Sequence, residues 1–374
     1  MNVAQFDYDL PPELIAQTPL EPRHASRLMV VNRATGQISH HRFADLLDLL
    51  QAGDILIANN SRVIPARLFG RKQTGGKVEL LLLKQLDALH WEALVGGKRL
   101  YPGVVVELER PEEMNGEVGR WGGRELESPL FLTIKEDLGE SRRLVEFNQL
   151  VNPYLPELGH VPLPPYIHTS LADAERYQTV YSQVEGSAAA PTAGLHFTPE
   201  LLLALREKEV ALDYVTLHIG LDTFKPVTVE QVEAHSIHHE VARLTPETAR
   251  RINQAKLAGG RLVAVGTTAV RTLETAALRS AGLTGSLKEA SKLNPDLCPW
   301  QSVVAIEEET DLFIYPGYTF RAVDVMLTNF HLPRSTLLML ASAFASLDLI
   351  RRAYQIAIAE KYRFYSFGDA MLII

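Results

Sequence analysis

The sequence predicts a discontinuous α/β domain interrupted by a small all-β domain. Buried-type strands alternate with helices on both sides of residues 66–147, whereas within that span short β-rich runs are separated by glycine turns. A proline-rich stretch, Asn152-Pro153-Tyr154-Leu155-Pro156 through Val161-Pro162-Leu163-Pro164-Pro165, carries the chain back from one texture to the other.

The first α/β strand is Ile55-Leu56-Ile57-Ala58, an apolar run that ends on Asn59-Asn60-Ser61-Arg62. The inserted segment follows Ser61-Arg62-Val63-Ile64-Pro65. Its strands are Ala66–Gly70, Val78–Leu83, Trp91–Val95, Val104–Leu108 and Leu130–Ile134, spaced as in a small sandwich or barrel. The glycine-rich run 115–124 is expected to be an exposed insertion. This places the α/β domain at 1–62 and 156–374 and the β domain at 63–155.

Beyond the insertion, Thr198-Pro199-Glu200 opens a helix with Thr198 as N-cap and Pro199 in the first turn. A strand over 210–220 follows, then a helix opened by Thr245-Pro246-Glu247, a strand over Arg261–Val265 and a helix over Ala269–Arg279. The polar stretch 280–299 is expected to be a second exposed loop.

The chain has 374 residues, 46% of them hydrophobic, enough for two domains of ordinary size. Its single cysteine, Cys298, excludes an intramolecular disulfide framework and a multi-thiolate metal site. The first residues lack the basic and apolar regions of a secretion signal, and runs such as Leu337–Phe344 are far short of a membrane span. The expectation is a soluble cytoplasmic protein, and a monomer, because no sustained heptad appears. A formal net charge of −8 argues against generic coating of nucleic acid but leaves room for a local basic face.

Four segments carry chemistry. The run Gly186 through Thr198 is small, uncharged and bent, suited to close approach of backbone to a ligand or to a tight backbone crossing, and it ends on His196 and Thr198. Val265-Gly266-Thr267-Thr268 lies where a strand hands over to a helix, and its hydroxyls suit a ribose, a carboxylate or an adenine edge. Arg271 and Glu274, three apart on that helix, read as an exposed ion pair or as part of the site. Asn59-Asn60-Ser61-Arg62 reads as a turn or as donors for a nucleobase edge or phosphate. Thr328-Asn329-Phe330-His331-Leu332-Pro333-Arg334-Ser335 reads as a loop with Ser335 capping a helix, or as the aromatic, histidine and arginine set that reads an unstacked RNA base.

His235-Ser236-Ile237-His238-His239-Glu240 lacks the zinc spacing of a metalloprotease helix, so acid–base or RNA-contact roles are favoured over metal, with a solvated polar loop as the alternative. No dinucleotide or phosphate-loop fingerprint occurs, which argues against NAD and ATP.

Together with Phe6-Asp7-Tyr8-Asp9-Leu10-Pro11, Ile15-Ala16-Gln17-Thr18-Pro19, Asn59 through Arg67, Ala190 through Thr198, His218-Ile219-Gly220-Leu221-Asp222-Thr223-Phe224 and Tyr365-Ser366-Phe367-Gly368-Asp369-Ala370-Met371-Leu372, these segments match one family in order from end to end. The chain resembles the S-adenosylmethionine:tRNA ribosyltransferase-isomerase family of queuosine biosynthesis. The resemblance implies an α/β domain carrying a six-stranded β-barrel. It implies transfer and isomerisation of the ribosyl moiety of S-adenosylmethionine onto 7-aminomethyl-7-deazaguanine at the tRNA wobble position, giving epoxyqueuosine-tRNA, adenine and methionine. It also implies no metal or redox cofactor, S-adenosylmethionine being consumed as a substrate.

Motif position and chemistry then assign roles. His196, His218 and His238 are candidates for a general base, since imidazole titrates nearest neutrality. Thr192, Gly194, Thr198, Gly266, Thr267 and Thr268 are expected at the S-adenosylmethionine pocket. Asn60, Arg62, Asn329 and His331 are expected at the deazaguanine or its flanking phosphates. The rival readings are an ordinary methyltransferase, whose glycine-rich loop after the first strand is missing, and a non-catalytic tRNA-binding module.

Overall fold

The computed structural model describes residues 1–109, 129–139, 141–220, 226–237, 239–288, 290 and 300–374. The glycine-rich run 115–124 lies outside them, as do His238, the segment 221–225 and half of the second polar loop. The chain divides into two compact units, one of residues 1–62, 164–184 and 190–374 and one of residues 63–163 and 185–189.

The larger unit is built on a nine-stranded mixed sheet. Four parallel strands form its middle, in the order Ala211–Leu217, Ile55–Asn59, Leu262–Val265 and Val325–Asn329. The last three are buried at every position, which is why they read as unbroken apolar runs rather than alternating ones. Beyond Val325–Asn329 lie Ala370–Ile373, antiparallel to it, then Arg27–Val31 and Ile38–Arg42. Beyond Ala211–Leu217 lie Glu240–Leu244 and Ile306–Thr310, both antiparallel additions.

Three helices start where their capping residues signal them. Thr198 accepts from the Leu201 amide and Thr245 from the Thr248 amide, each followed by a proline that has no amide hydrogen to leave unpaired. Ser335 caps Thr336–Phe344 in the same manner. The helix Thr267–Ser280 begins two residues earlier than the apolar pattern suggests and is buried from Thr267 through Leu278. Arg271 and Glu274 are therefore not an exposed pair. Arg271 pairs with Glu240, while Glu274 accepts from the Tyr318 hydroxyl and from the amides of Arg321, Ala322 and Val323 at 2.9–3.0 Å.

The smaller unit is a closed antiparallel barrel, of strands Arg142–Phe147, His90–Gly96, Lys77–Gln85, Arg67–Lys72, Val105–Leu108 and Phe131–Gly139. Alternation fills it: Leu80, Leu82, Trp91, Ala93, Val106, Leu132, Ile134 and Val145 point inward and are buried. Val151, Leu155 and Leu158 pack into the same core, so the chain stays with the barrel past Pro156 and leaves it at Leu163. Apolar contact, rather than the first proline, sets that boundary.

Candidate functional site

All four parallel strands end at the same edge, at Leu217, Asn59, Val265 and Asn329. In an open α/β sheet this carboxyl edge is where ligands bind, because the loops leaving it diverge and a helix N-terminus points back at it. A cleft open to solvent lies there, within the larger unit. Ala190, Pro191, Thr192 and Ala193 form one wall, Gly266, Thr267 and Thr268 a second, and Thr328 through Leu332 a third. Tyr166, Ile219, Leu337, Tyr365 and Ser366 complete it. No Asp, Glu, Lys or Arg lines the cleft among the described residues.

Gly266 makes the second wall possible. Its φ of +85° and ψ of 157° lie in a region that side chains avoid, and its amide donates to the Leu327 carbonyl at 2.8 Å. The helix that follows has no side-chain cap, so its first amides keep their donor capacity at the cleft. Asn59 fixes the neighbouring hydroxyl: its Nδ2 donates to Thr268 Oγ1 at 3.3 Å and to the Leu217 carbonyl at 2.9 Å.

The third wall turns on Asn329, 3% exposed. Its Nδ2 donates to the Tyr365 carbonyl at 3.0 Å and lies 3.4 Å from His196 Nε2, while its Oδ1 has no partner among the described residues. His331 is held by Thr328 Oγ1 at 2.8 Å, and its amide donates to the Tyr354 hydroxyl at 2.8 Å. Burial pushes the His331 imidazole down to about 3, so it is neutral at pH 7. Tyr365 has φ +69°, a left-handed conformation rare for an aromatic residue, and its ring lies 4.8 Å from that of Tyr166.

The proposed base candidates are dispersed. His196 is stacked on Phe43 at 4.9 Å, bonded through Nδ1 to Ser26 Oγ at 2.8 Å, and faces a smaller cavity with Arg23 and Ser26. Burial first, then the Arg363 and Arg23 charges, push it down to about 3. His218 follows the strand Ala211–Leu217 and precedes the cleft residue Ile219; its Nδ1 has no partner among the described residues, and burial lowers its proton affinity. His238 lies outside the described residues.

Of the other expected ligand-binding residues, Thr192, Gly266, Thr267, Thr268, Asn329 and His331 meet in the one cleft, which joins residues expected at S-adenosylmethionine to residues expected at the deazaguanine. Gly194 and Thr198 do not line it. A side chain at Gly194 would collide with the Tyr181 hydroxyl, and Thr198 is occupied in capping its helix and bonding His24 Nδ1 at 3.0 Å. Asn60 accepts from Thr216 Oγ1 at 2.7 Å, and Arg62 bonds Ser182 and pairs with Glu175. Neither lines the cleft.

Tyr166, Thr328, Tyr365 and Ser366 were not singled out as site residues. Tyr365 and Ser366 had a signal, as they open a C-terminal motif of the resemblance; Tyr166 sits among prolines with nothing to mark it. The His235–Glu240 segment is dismembered: Glu240 pairs with Arg271, His239 with Glu309, and the His235 ring packs on Phe313. Among the described residues, no three His, Cys, Asp or Glu side chains are grouped to hold a metal, and no helix is long and apolar enough to cross a membrane.

Residues 3–373 match the family model described as queuosine biosynthesis protein. Proteins named S-adenosylmethionine:tRNA ribosyltransferase-isomerase from Desulfitobacterium hafniense, Symbiobacterium thermophilum and Heliobacterium modesticaldum are each 50% identical to the chain, with full coverage of both sequences. The crystal structure of S-adenosylmethionine tRNA ribosyltransferase from Thermotoga maritima is similar with a TM-score of 0.52 and 36% identity, covering 99% of this chain and 100% of that one.

Proposed function

Because the chain belongs to the queuosine biosynthesis protein family, we infer that it is an S-adenosylmethionine:tRNA ribosyltransferase-isomerase. It transfers and isomerises the ribosyl moiety of S-adenosylmethionine onto 7-aminomethyl-7-deazaguanine at the wobble position of tRNA. The products are epoxyqueuosine-tRNA, adenine and methionine. The observation that carries this reading is 50% identity, from end to end, with proteins of that name. The cleft supports it, since five of the segments that resemble the family, those containing Ala190, Ile219, Gly266, Asn329 and Tyr365, supply its lining.

We assign the cleft to S-adenosylmethionine. Its aromatic rings at Tyr166 and Tyr365 suit a sulfonium, which is attracted to the face of an aromatic ring, and among the described residues no cation lines the wall to oppose it. The sulfonium acidifies the ribose C5′ protons. A base removes one to give an ylide; adenine leaves C1′ taking up a proton, the aminomethyl nitrogen bonds C1′ and gives up a proton, the C5′ carbanion bonds C1′ as the C1′–O4′ bond breaks, and O4′ closes the epoxide on C5′ with methionine as the leaving group. Of the three histidines we favour His218 as that base: it adjoins the cleft residue Ile219, burial keeps it neutral at pH 7, and its Nδ1 has no partner among the described residues. Asn60 and Arg62, outside the cleft, are assigned to the tRNA. The chemistry requires neither metal nor redox cofactor, and the enzyme works as a monomer in the cytoplasm.

Incubation with S-adenosylmethionine and a tRNA carrying 7-aminomethyl-7-deazaguanine tests the reading. Free adenine with a ribosyl-derived mass gain on the RNA is expected. S-adenosylhomocysteine with a methyl-sized gain would establish methyl transfer instead, and no product from folded protein would favour a binding module.

A further inference from the structure

We propose that the amino-acid end of S-adenosylmethionine is read by two features of the cleft: the uncapped N-terminus of Thr267–Ser280 takes its carboxylate, and the Asn329 carboxamide oxygen, oriented by His196, accepts from its ammonium. This rests on the assignment of the cleft to S-adenosylmethionine. Thr267 and Asn329 both line that cleft, from the ends of adjacent parallel strands. A helix N-terminus supplies amide donors and a positive dipole end to an anion. Asn329 supplies the complementary acceptor beside it, so the pair matches a zwitterion rather than a simple anion.

The direction in which the Asn329 amide points follows from its bonds. Nδ2 is committed to the Tyr365 carbonyl at 3.0 Å and to His196 Nε2 at 3.4 Å, which leaves Oδ1 as the end without a partner among the described residues. Reversal of the amide would set Oδ1 against the Tyr365 carbonyl, acceptor against acceptor. A buried acceptor left unpaired is costly, which marks Oδ1 as the atom a substrate N–H satisfies. The His196 bonds define a single tautomer: Nδ1 donates to Ser26 Oγ at 2.8 Å, and Nε2 accepts from Asn329. A protonated ring would present a donor to a donor; burial holds this imidazole neutral. His196 is thus a positioning residue that acts through Asn329, and the smaller cavity, not the cleft, is what it faces.

The test uses the full chain and two competitive ligands, S-adenosylhomocysteine and 5′-methylthioadenosine, which share nucleoside and sulfur but differ in the amino-acid end. Asn329→Ala should weaken S-adenosylhomocysteine roughly 10- to 100-fold, as for loss of a hydrogen bond to a charged group, and change methylthioadenosine by less than about twofold. Thr267→Pro, which keeps a helix start but removes one amide hydrogen, should show the same selectivity in a differently perturbed protein. His196→Ala should copy Asn329→Ala, and His196→Gln, whose amide can donate to Ser26 and accept from Asn329, should restore most of the affinity. Equal weakening of both ligands, or a change confined to the KM for tRNA, would overturn the assignment. A wild-type chain that binds neither ligand and releases no adenine would instead overturn the functional reading beneath it.

Discussion

Replacing Gly266 with alanine probes the joint between strand and helix on which the cleft depends. A Cβ at Gly266 would sit 3.6 Å from Ala193 Cβ and 3.8 Å from Thr268 Oγ1, ordinary contact distances, so collision contributes little. The cost comes from the backbone: φ +85° with ψ 157° is essentially confined to glycine and carries about 1–3 kcal/mol for other residues. The variant has two ways to accommodate this. Keeping the geometry lowers the stability of the larger unit by that amount, roughly 2–4 °C in Tm per kcal/mol. Rotating the peptide relieves the strain, gives up the amide bond to Leu327 and redirects the first amides of Thr267–Ser280, which raises the KM for S-adenosylmethionine. Thermal unfolding by circular dichroism and steady-state kinetics on Gly266→Ala measure both. A variant with unchanged Tm and unchanged KM would refute the reasoning, because strain must appear in one or the other.

Further predictions concern charge and protonation. His218→Ala should lower turnover by about 10²- to 10⁴-fold with the fold retained, and an unaltered rate removes His218 from the mechanism. With burial lowering its proton affinity, the wild-type acid limb of kcat/KM should fall below pH 6.5, the rate declining as pH drops through the lowered value. His196 and His331 are neutral in the fold down to about 3 but protonate near 6.5 when unfolded, so the unfolded chain binds more protons between those values. Each should therefore withdraw about 2 kcal/mol of stability by pH 5, and urea titrations of the wild type against His196→Gln should show a shallower loss in the variant. Arg271→Met should destabilise the protein by about 3–5 kcal/mol, because it strands the buried Glu240 carboxylate; a near-neutral urea midpoint would show that Glu240 finds water.

Local grammar made much of the fold legible. Thr198, Thr245 and Ser335 cap the helices their residue types announce, whereas in the unbroken leucine run 80–83 only the folded barrel decides that Leu80 and Leu82 are the fully buried ones. The edge where the cleft lies was legible too, since glycine and threonine directly after an apolar strand mark a strand-to-helix joint. Tyr166 was not legible, because a residue between prolines carries no periodicity. Gly194 and Thr198 shared the small-residue character of a ligand loop, yet packing against Tyr181 and capping explain them. Composition cannot separate a glycine needed by a ligand from one needed by a neighbouring side chain.

The sequence by itself determined the alternation of strands and helices, the inserted β segment and the family, because these rest on local patterns and on order along the chain. Tertiary structure alone decided which motifs meet. It put Asn329 beside Thr267 although 62 residues separate them, since their strands pair in register. It also turned His196 away toward Ser26, and gave Arg271 and Glu274 separate partners instead of each other. Burial and direction are properties of the folded sheet, and they set whether a histidine holds a proton or orients an amide.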